Sequence, residues 1–164
     1  LLSRLVVVSN RVAAPTDVKG RAGGLAVALK DALSEHGGVW FGWSGKVGSE
    51  TPAKPALTQV GPVTYATIDL SRKHYNEYYN GFANRTLWPL FHYRLDLTAF
   101  SKQNYSGYLQ VNTIFAEKLM SLIESEDLIW IHDYHLIPMG EELRRAGVTH
   151  PVPGNGNSHR PARS

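Results

Sequence analysis

The chain of 164 residues contains no cysteine and only two methionines. Without thiols there is no disulfide framework, no zinc-thiolate centre and no cysteine nucleophile, and a reducing compartment, by default the cytoplasm, is the expected setting. Long apolar runs are lacking as well. The opening LLSRLVVVSNR places only Leu5 to Val8 in an unbroken apolar run after Arg4, too short for the core of a signal peptide and far below the roughly 20 residues that span a bilayer. A soluble protein with no membrane partner is expected. An excess of one charge is also largely absent. The net charge is +3, and Arg160 and Arg163, in a terminal stretch without carboxylates, supply two of those units. The remaining chain is near neutral and has no basic stripe interleaved with aromatics, which argues against nucleic acid as a partner. No internal repeat occurs.

What is present is a regular alternation of apolar patterns. Leu5 to Ser9 (LVVVS) is short, β-branched and continuously apolar, as a strand covered on both faces should be. Leu25 to His36 sets Leu25, Ala28, Leu29, Ala32 and Leu33 on one helical stripe that Gly37-Gly38 ends. Val39 to Ser44 reads as a second strand, GKVGSETPAKPA as a turn-rich connection, and Val63 to Leu70 as a third strand. Ser71 is placed to cap a helix running through Tyr78 and Tyr79, and Tyr105 to Ser125 repeats apolar residues at helical spacing. Leu128 to Asp133 is the next strand, followed by a short helix from Pro138 to Ala146 closed by Gly147. Strands alternating with helices give an α/β class, a Rossmann-like parallel sheet with helices on both faces. One domain, residues 1–148, is expected. Residues 149–164 (THPVPGNGNSHRPARS) have three prolines, two glycines and almost no aliphatic side chains, and read as a disordered tail.

In open sheets of this kind, ligands sit beyond the carboxyl ends of the strands. There the first strand leads into Ser9-Asn10-Arg11 and a loop ending Gly23-Gly24 before the first helix. Those glycines either serve simple turn chemistry or let a phosphate approach a helix N-terminus; the spacing is neither G-x-G-x-x-G nor a Walker loop. Arg11 is equally open to two readings, a solvated loop arginine or an anion ligand. At the carboxyl end of a later strand, LIWIHDYHL drives an apolar run into His132, Asp133, Tyr134 and His135. Metal binding is disfavoured, because H-D-Y-H matches no usual ligand spacing. A serine triad fails for want of a G-x-S-x-G elbow. His132, at the last inward position of the strand, is expected to be a satisfied core histidine, whereas Asp133, just beyond it, suits hydrogen bonding to vicinal sugar hydroxyls. Tyr78, Tyr79, Trp88, Phe91 and Tyr93 read first as core, with stacking on a pyranose ring as the alternative.

The blocks SRLVVVSNR, AGGLAVAL, GGVWFGWSG, EYYNGF, LWPLFHYR and IWIHDYHLIP, in this order and spacing, resemble the amino-terminal part of the trehalose-6-phosphate synthase family over residues 3–148. The resemblance implies the amino-terminal domain of a two-domain glycosyltransferase of the GT-B type, a hexosyltransferase moving glucose from UDP-glucose to glucose 6-phosphate with retention. It implies that Arg11 holds the acceptor phosphate beside Tyr79, Trp88 packs on the acceptor sugar and helps select its anomer, Asp133 holds its hydroxyls, and Gly23 and Gly24 line the donor diphosphate. It implies neither a protein nucleophile nor a metal or other cofactor, and full-length members are expected to be homo-oligomers.

The family continues for hundreds of residues into a second domain that carries further donor ligands, and residues 149–164 resemble no part of it. The expectation is therefore a chain that has no synthase turnover by itself and at most weak affinity for the acceptor. The alternative is a non-catalytic domain that binds sugar phosphate. A dinucleotide-dependent reductase is disfavoured, because VWFGWSG offers no acidic residue at the end of the second strand.

Overall fold

The computed structural model describes residues 3–12 and 24–149. Gly23 and the stretch 150–164, which carries nearly all of the expected tail, lie outside the described residues. Strands β1 (Leu5–Arg11), β2 (Gly38–Gly48), β3 (Ala56–Val60), β4 (Val63–Ser71) and β5 (Leu128–Ile131) form one sheet in the order β3-β4-β2-β1-β5. Pairings β1–β2, β1–β5 and β2–β4 are parallel, and β3 joins β4 antiparallel. The sheet is thus dominated by parallel strands, as the alternation of patterns implies.

Successive side chains of a strand point to opposite faces, so the valine run of β1 serves two cores at once. On one face Val8, Phe41, Ile68 and Ile129 pack with Phe115 and Leu119 of helix α4 (Lys102–Met120) and Leu143 of helix α5 (Met139–Arg145). On the other, Val7, Trp40 and Tyr65 pack with Leu33 of helix α1 (Gly24–His36). Each fully buried side chain of this size contributes roughly 1.5–3 kcal/mol, and the Phe41 and Phe115 rings meet at 5.4 Å.

Three elements depart from expectation. Strand β3, which begins at the last residue of the segment expected as turns and was not foreseen, is an edge strand whose five residues are all exposed. It buries no face, so it has none of the alternation that marks a half-buried strand. Strand β5 ends at Ile131, short of the Asp133 expected. It is the last strand of the described sheet, and Trp130 is 42% exposed. The helix after Ser71 is not α-helical for long. Ser71 caps a single turn, α2 (Arg72–His74), by accepting from the His74 amide, and the chain then winds as a π-helix over Tyr75–Leu87 before α3 (Trp88–Phe91). Such winding is rare and tends to occur at functional positions.

Two local devices hold the β5 side in place. Arg4 donates from Nε and Nη2 to the two carboxylate oxygens of Asp127 at 2.9 and 2.7 Å, and from Nη2 to Leu122 O at 2.9 Å. This ties the start of β1 to the turn before β5. Helix α5 ends at Gly147, whose φ of 90° suits a residue without a Cβ. Val148 N donates to Leu143 O at 3.0 Å across that turn.

Candidate functional site

The carboxyl ends of β1 and β5 lie side by side, since the two strands pair in parallel. Strand β1 shifts register between Ser9 and Arg11. At this irregularity the buried Asn10 side chain accepts a hydrogen bond from the Tyr78 hydroxyl at 2.7 Å. Ser9 Oγ is held between Trp40 Nε1, which donates to it, and Arg11 O, which accepts from it, both at 2.9 Å. Arg11 itself is exposed, and its guanidinium lies against Gly45, where a Cβ would sit 2.7 Å from Nη2. No carboxylate among the described residues pairs with it.

At the end of β5 the chain turns sharply. Asp133 has φ 85° and ψ 142°, a region that costs a non-glycine residue of order 1–3 kcal/mol and persists only where its surroundings enforce it. The enforcement is visible. Asn10 N donates to Asp133 Oδ2 at 3.0 Å, His132 N donates to Val8 O at 2.8 Å, and Leu136 N donates to Asp133 O at 3.1 Å. His132 Nε2 stands 3.2 Å from Asp133 Oδ1. His132 is therefore not the core histidine expected of it; its side chain is about one-third exposed and faces the carboxylate. The 3₁₀ turn at Tyr134–Leu136 carries His135 inward instead, to 7% exposure.

The π-helix brings a run of rings to the same rim. Tyr79 stacks on Tyr75 at 5.6 Å, meets Trp43 at 5.4 Å, and lies nearly parallel to His135 at 5.5 Å and 12°. Tyr134 stacks on His135 at 4.1 Å and approaches Trp88 at 6.0 Å. Trp88 is 49% exposed and rests on His92. Burial pulls the His135 imidazole down to about 4, against the opposing pull of the Asp133 charge. Among the described residues its ring nitrogens find no hydrogen-bond partner. Burial raises the Tyr134 phenol, with Tyr79 and Asp133 adding to the shift.

Contacts therefore link Arg11, Tyr79, Trp88 and Asp133 through neighbours at one edge of the sheet. Arg11 follows Asn10, which binds Asp133; Arg11 also pairs in register with Trp43, which touches Tyr79. Gly24 is the first residue of α1, and Gly23 lies outside the described residues. Two open hollows lie away from this rim. One, of about 370 Å³, is bordered by Lys73, Glu77 and Lys102, and the other, of about 460 Å³, by Thr51, His74 and Lys118. Neither is lined by the four residues. His132 and His135 diverge, and among the described residues no three metal-ligating side chains converge.

Sequence reasoning gave no role to Asn10 or Tyr134, weighed His135 only as a metal ligand, and read Tyr78 first as core, which it is, with no exposure at all. The polar cluster of H-D-Y-H was visible, yet which histidine turns inward depends on the 3₁₀ turn, which no periodicity announces.

Residues 3–152 match the model of glycosyltransferase family 20. A trehalose-6-phosphate synthase from Enterobacter sp. (strain 638) is 51% identical over 151 residues, 92% of this chain and 32% of that protein. A crystal structure of an α,α-trehalose-phosphate synthase (UDP-forming) from Burkholderia vietnamiensis aligns with TM-score 0.87 and 55% identity, over 92% of this chain and 33% of that one. Another such synthase, from Burkholderia xenovorans in complex with glucose-6-phosphate, aligns with TM-score 0.82 and 48% identity, covering 92% and 32%. The chain spans about a third of the length of the curated relatives it matches. It belongs to glycosyltransferase family 20.

Proposed function

We propose that this chain supplies the acceptor-binding part of a trehalose-6-phosphate synthase, in which glucose passes from UDP-glucose to glucose 6-phosphate with retention at the anomeric carbon. In this reading residues 1–148 are the amino-terminal Rossmann-like domain of a GT-B enzyme, and 149–164 stand apart from it. The observation that carries the reading is the gathering of an exposed guanidinium, a carboxylate and flat rings at the carboxyl edge of a parallel sheet, where such sheets bind ligands.

Each role follows from side-chain chemistry. The Arg11 fork matches the phosphate oxygens of the acceptor, with the Tyr79 hydroxyl beside it. Half-exposed Trp88 offers an apolar face to the sugar ring and so discriminates its anomer. Asp133, acceptor-only when ionised, takes hydrogen bonds from neighbouring hydroxyls. Gly24, the first residue of α1, and Gly23, which precedes it in the sequence, admit the donor diphosphate to the helix N-terminus.

The reaction needs no nucleophile from this chain. The acceptor hydroxyl oxygen forms the new bond to the donor carbon while the bond to UDP breaks on the same face, and the hydroxyl proton ends on the departing phosphate. Rate comes from holding the two substrates together and from stabilising the phosphate charge. Substrates of this kind, a nucleotide sugar and a sugar phosphate, set the reaction in the cytoplasm, and no helix among the described residues is long and apolar enough to cross a membrane.

Calorimetry with glucose 6-phosphate and a steady-state assay with UDP-glucose test the reading. The 164 residues alone are expected to bind the acceptor and lose that binding in Arg11→Ala, without turnover. The same chain carried on to the length of its relatives is expected to turn over. Acceptor binding without turnover at full length would favour a sugar-phosphate-binding module, and no binding at all would overturn both readings.

A further inference from the structure

We propose that Tyr78 and Asn10 are positioning residues that act through Asp133, forming a buried relay that keeps the acceptor ligands in register with one another; the proposal rests on the acceptor-site reading above. Three separate segments must agree for that site to exist: the end of β1 with Arg11, the π-helix with Tyr79, and the turn after β5 with Asp133. One continuous set of hydrogen bonds joins them, and each link lies at one of these residues or immediately before it. Tyr78 Oη donates to Asn10 Oδ1 at 2.7 Å, and Asn10 N donates to Asp133 Oδ2 at 3.0 Å.

The bonds are not incidental to packing. Tyr78 has no exposure and Asn10 has 6%, so neither polar group can be satisfied by bulk water, and removing one partner would strand the other. Burial also holds the Tyr78 phenol far above its ordinary titration range, so it stays a donor. Asn10 uses its side chain on one side and its backbone on the other, across the register shift of β1. The side-chain bond anchors the backbone at position 10, so its loss frees the main chain there and with it the amide that fixes Asp133. Asp133 needs that fixing, because its φ of 85° is unfavourable for an aspartate.

Tyr78→Phe deletes one hydroxyl and keeps the ring, which makes it the test. The readouts are hydrogen exchange of the Asn10 amide by NMR in the 164-residue chain and its affinity for glucose 6-phosphate. The expected result is an Asn10 amide that exchanges about tenfold faster and an affinity lower by about tenfold, the scale of one buried hydrogen bond. The double variant Tyr78→Phe/Asp133→Asn should bind no more weakly than Asp133→Asn alone, since both changes act on the same group. Asn10→Ala, which removes the acceptor instead of the donor, should reproduce the faster exchange at position 10. Unchanged exchange in Tyr78→Phe, or losses of affinity that simply add, would overturn the relay. If the unsubstituted chain fails to bind glucose 6-phosphate while the Asn10 amide still responds, the acceptor reading is overturned and the relay is upheld.

Discussion

The imidazole of His135 lies nearly parallel to the ring of Tyr79, 5.5 Å between centroids and 12° between planes. Tyr134 stacks on the same imidazole at 4.1 Å. Burial leaves this histidine far easier to keep neutral than to protonate, and this gives the rim a definite response to acid.

A histidine in an unfolded chain titrates near 6.5; His135 in the fold titrates at about 4. Between those values the unfolded state binds the extra proton, so stability rises with pH across the window. The contribution of His135 is whole above about pH 6.5 and is lost as pH falls toward 4, reaching about 3 kcal/mol at the acid end by the usual conversion of pKa shift to free energy. Urea unfolding at pH 7 and pH 4.5 should show a smaller difference between the two pH values in His135→Phe than in the unsubstituted chain. An equal difference in both would show that the acid sensitivity arises elsewhere.

Asp133→Asn retains the shape of the side chain and an oxygen for the Asn10 amide, and asparagine tolerates positive φ at least as well as aspartate. Thermal stability should therefore stay close to that of the unsubstituted chain. Affinity for glucose 6-phosphate should fall between about tenfold and a hundredfold, because hydrogen bonds to a charged acceptor are replaced by bonds to a neutral one. A melting shift with unchanged affinity would contradict the role given to the carboxylate.

Arg11 is exposed and its guanidinium lies against Gly45, so Arg11→Ala should leave unfolding by denaturant nearly unchanged. Its effect should appear in ligand binding alone, about a hundredfold for a phosphorylated acceptor and little for glucose itself. Calorimetry with both sugars separates these cases. Equal loss for glucose would place the arginine away from the phosphate.

Arg4 grips Asp127, whose side chain is 2% exposed, while its own side chain is 34% exposed. Arg4→Met keeps the stem and removes a charge-paired donor from a nearly buried carboxylate. A loss of about 2 kcal/mol is expected, below the 3–5 typical of fully buried pairs because water reaches the guanidinium. Denaturant titration measures it, and a cost under about 0.5 kcal/mol would mean that the pair behaves as a surface one.

The parts of this molecule that were legible in its sequence are those where burial dictates residue type. The valines of β1, Leu33 of α1, the apolar spacing of α4 and the glycine after α5 each mark their element because a wrong residue there would cost packing or strain. Strand β3 buries nothing and so left no mark. The π-helix was read as an ordinary helix because its apolar residues still recur every few positions, and nothing in YNEYYNGFANRTL states the pitch. His135 was hidden behind His132 for a related reason: a single tight turn decides which ring faces in. Arg11, Tyr79, Trp88 and Asp133 stood out through a family resemblance, whereas the hydrogen bonds that join their neighbours appear only once three distant segments are brought together.

The wide winding of Tyr75–Leu87 has an evolutionary consequence. Adjacent Tyr78 and Tyr79 divide their labour, one sealed among core rings and one turned toward the rim, and the pitch of the coil assigns those parts. Loss of one residue upstream, with relaxation to a tighter spiral, would rotate every later side chain by about a quarter turn or more. Both tyrosines would survive in the gene while exchanging neighbours. This stretch should thus tolerate many changes of letter and almost no change of length.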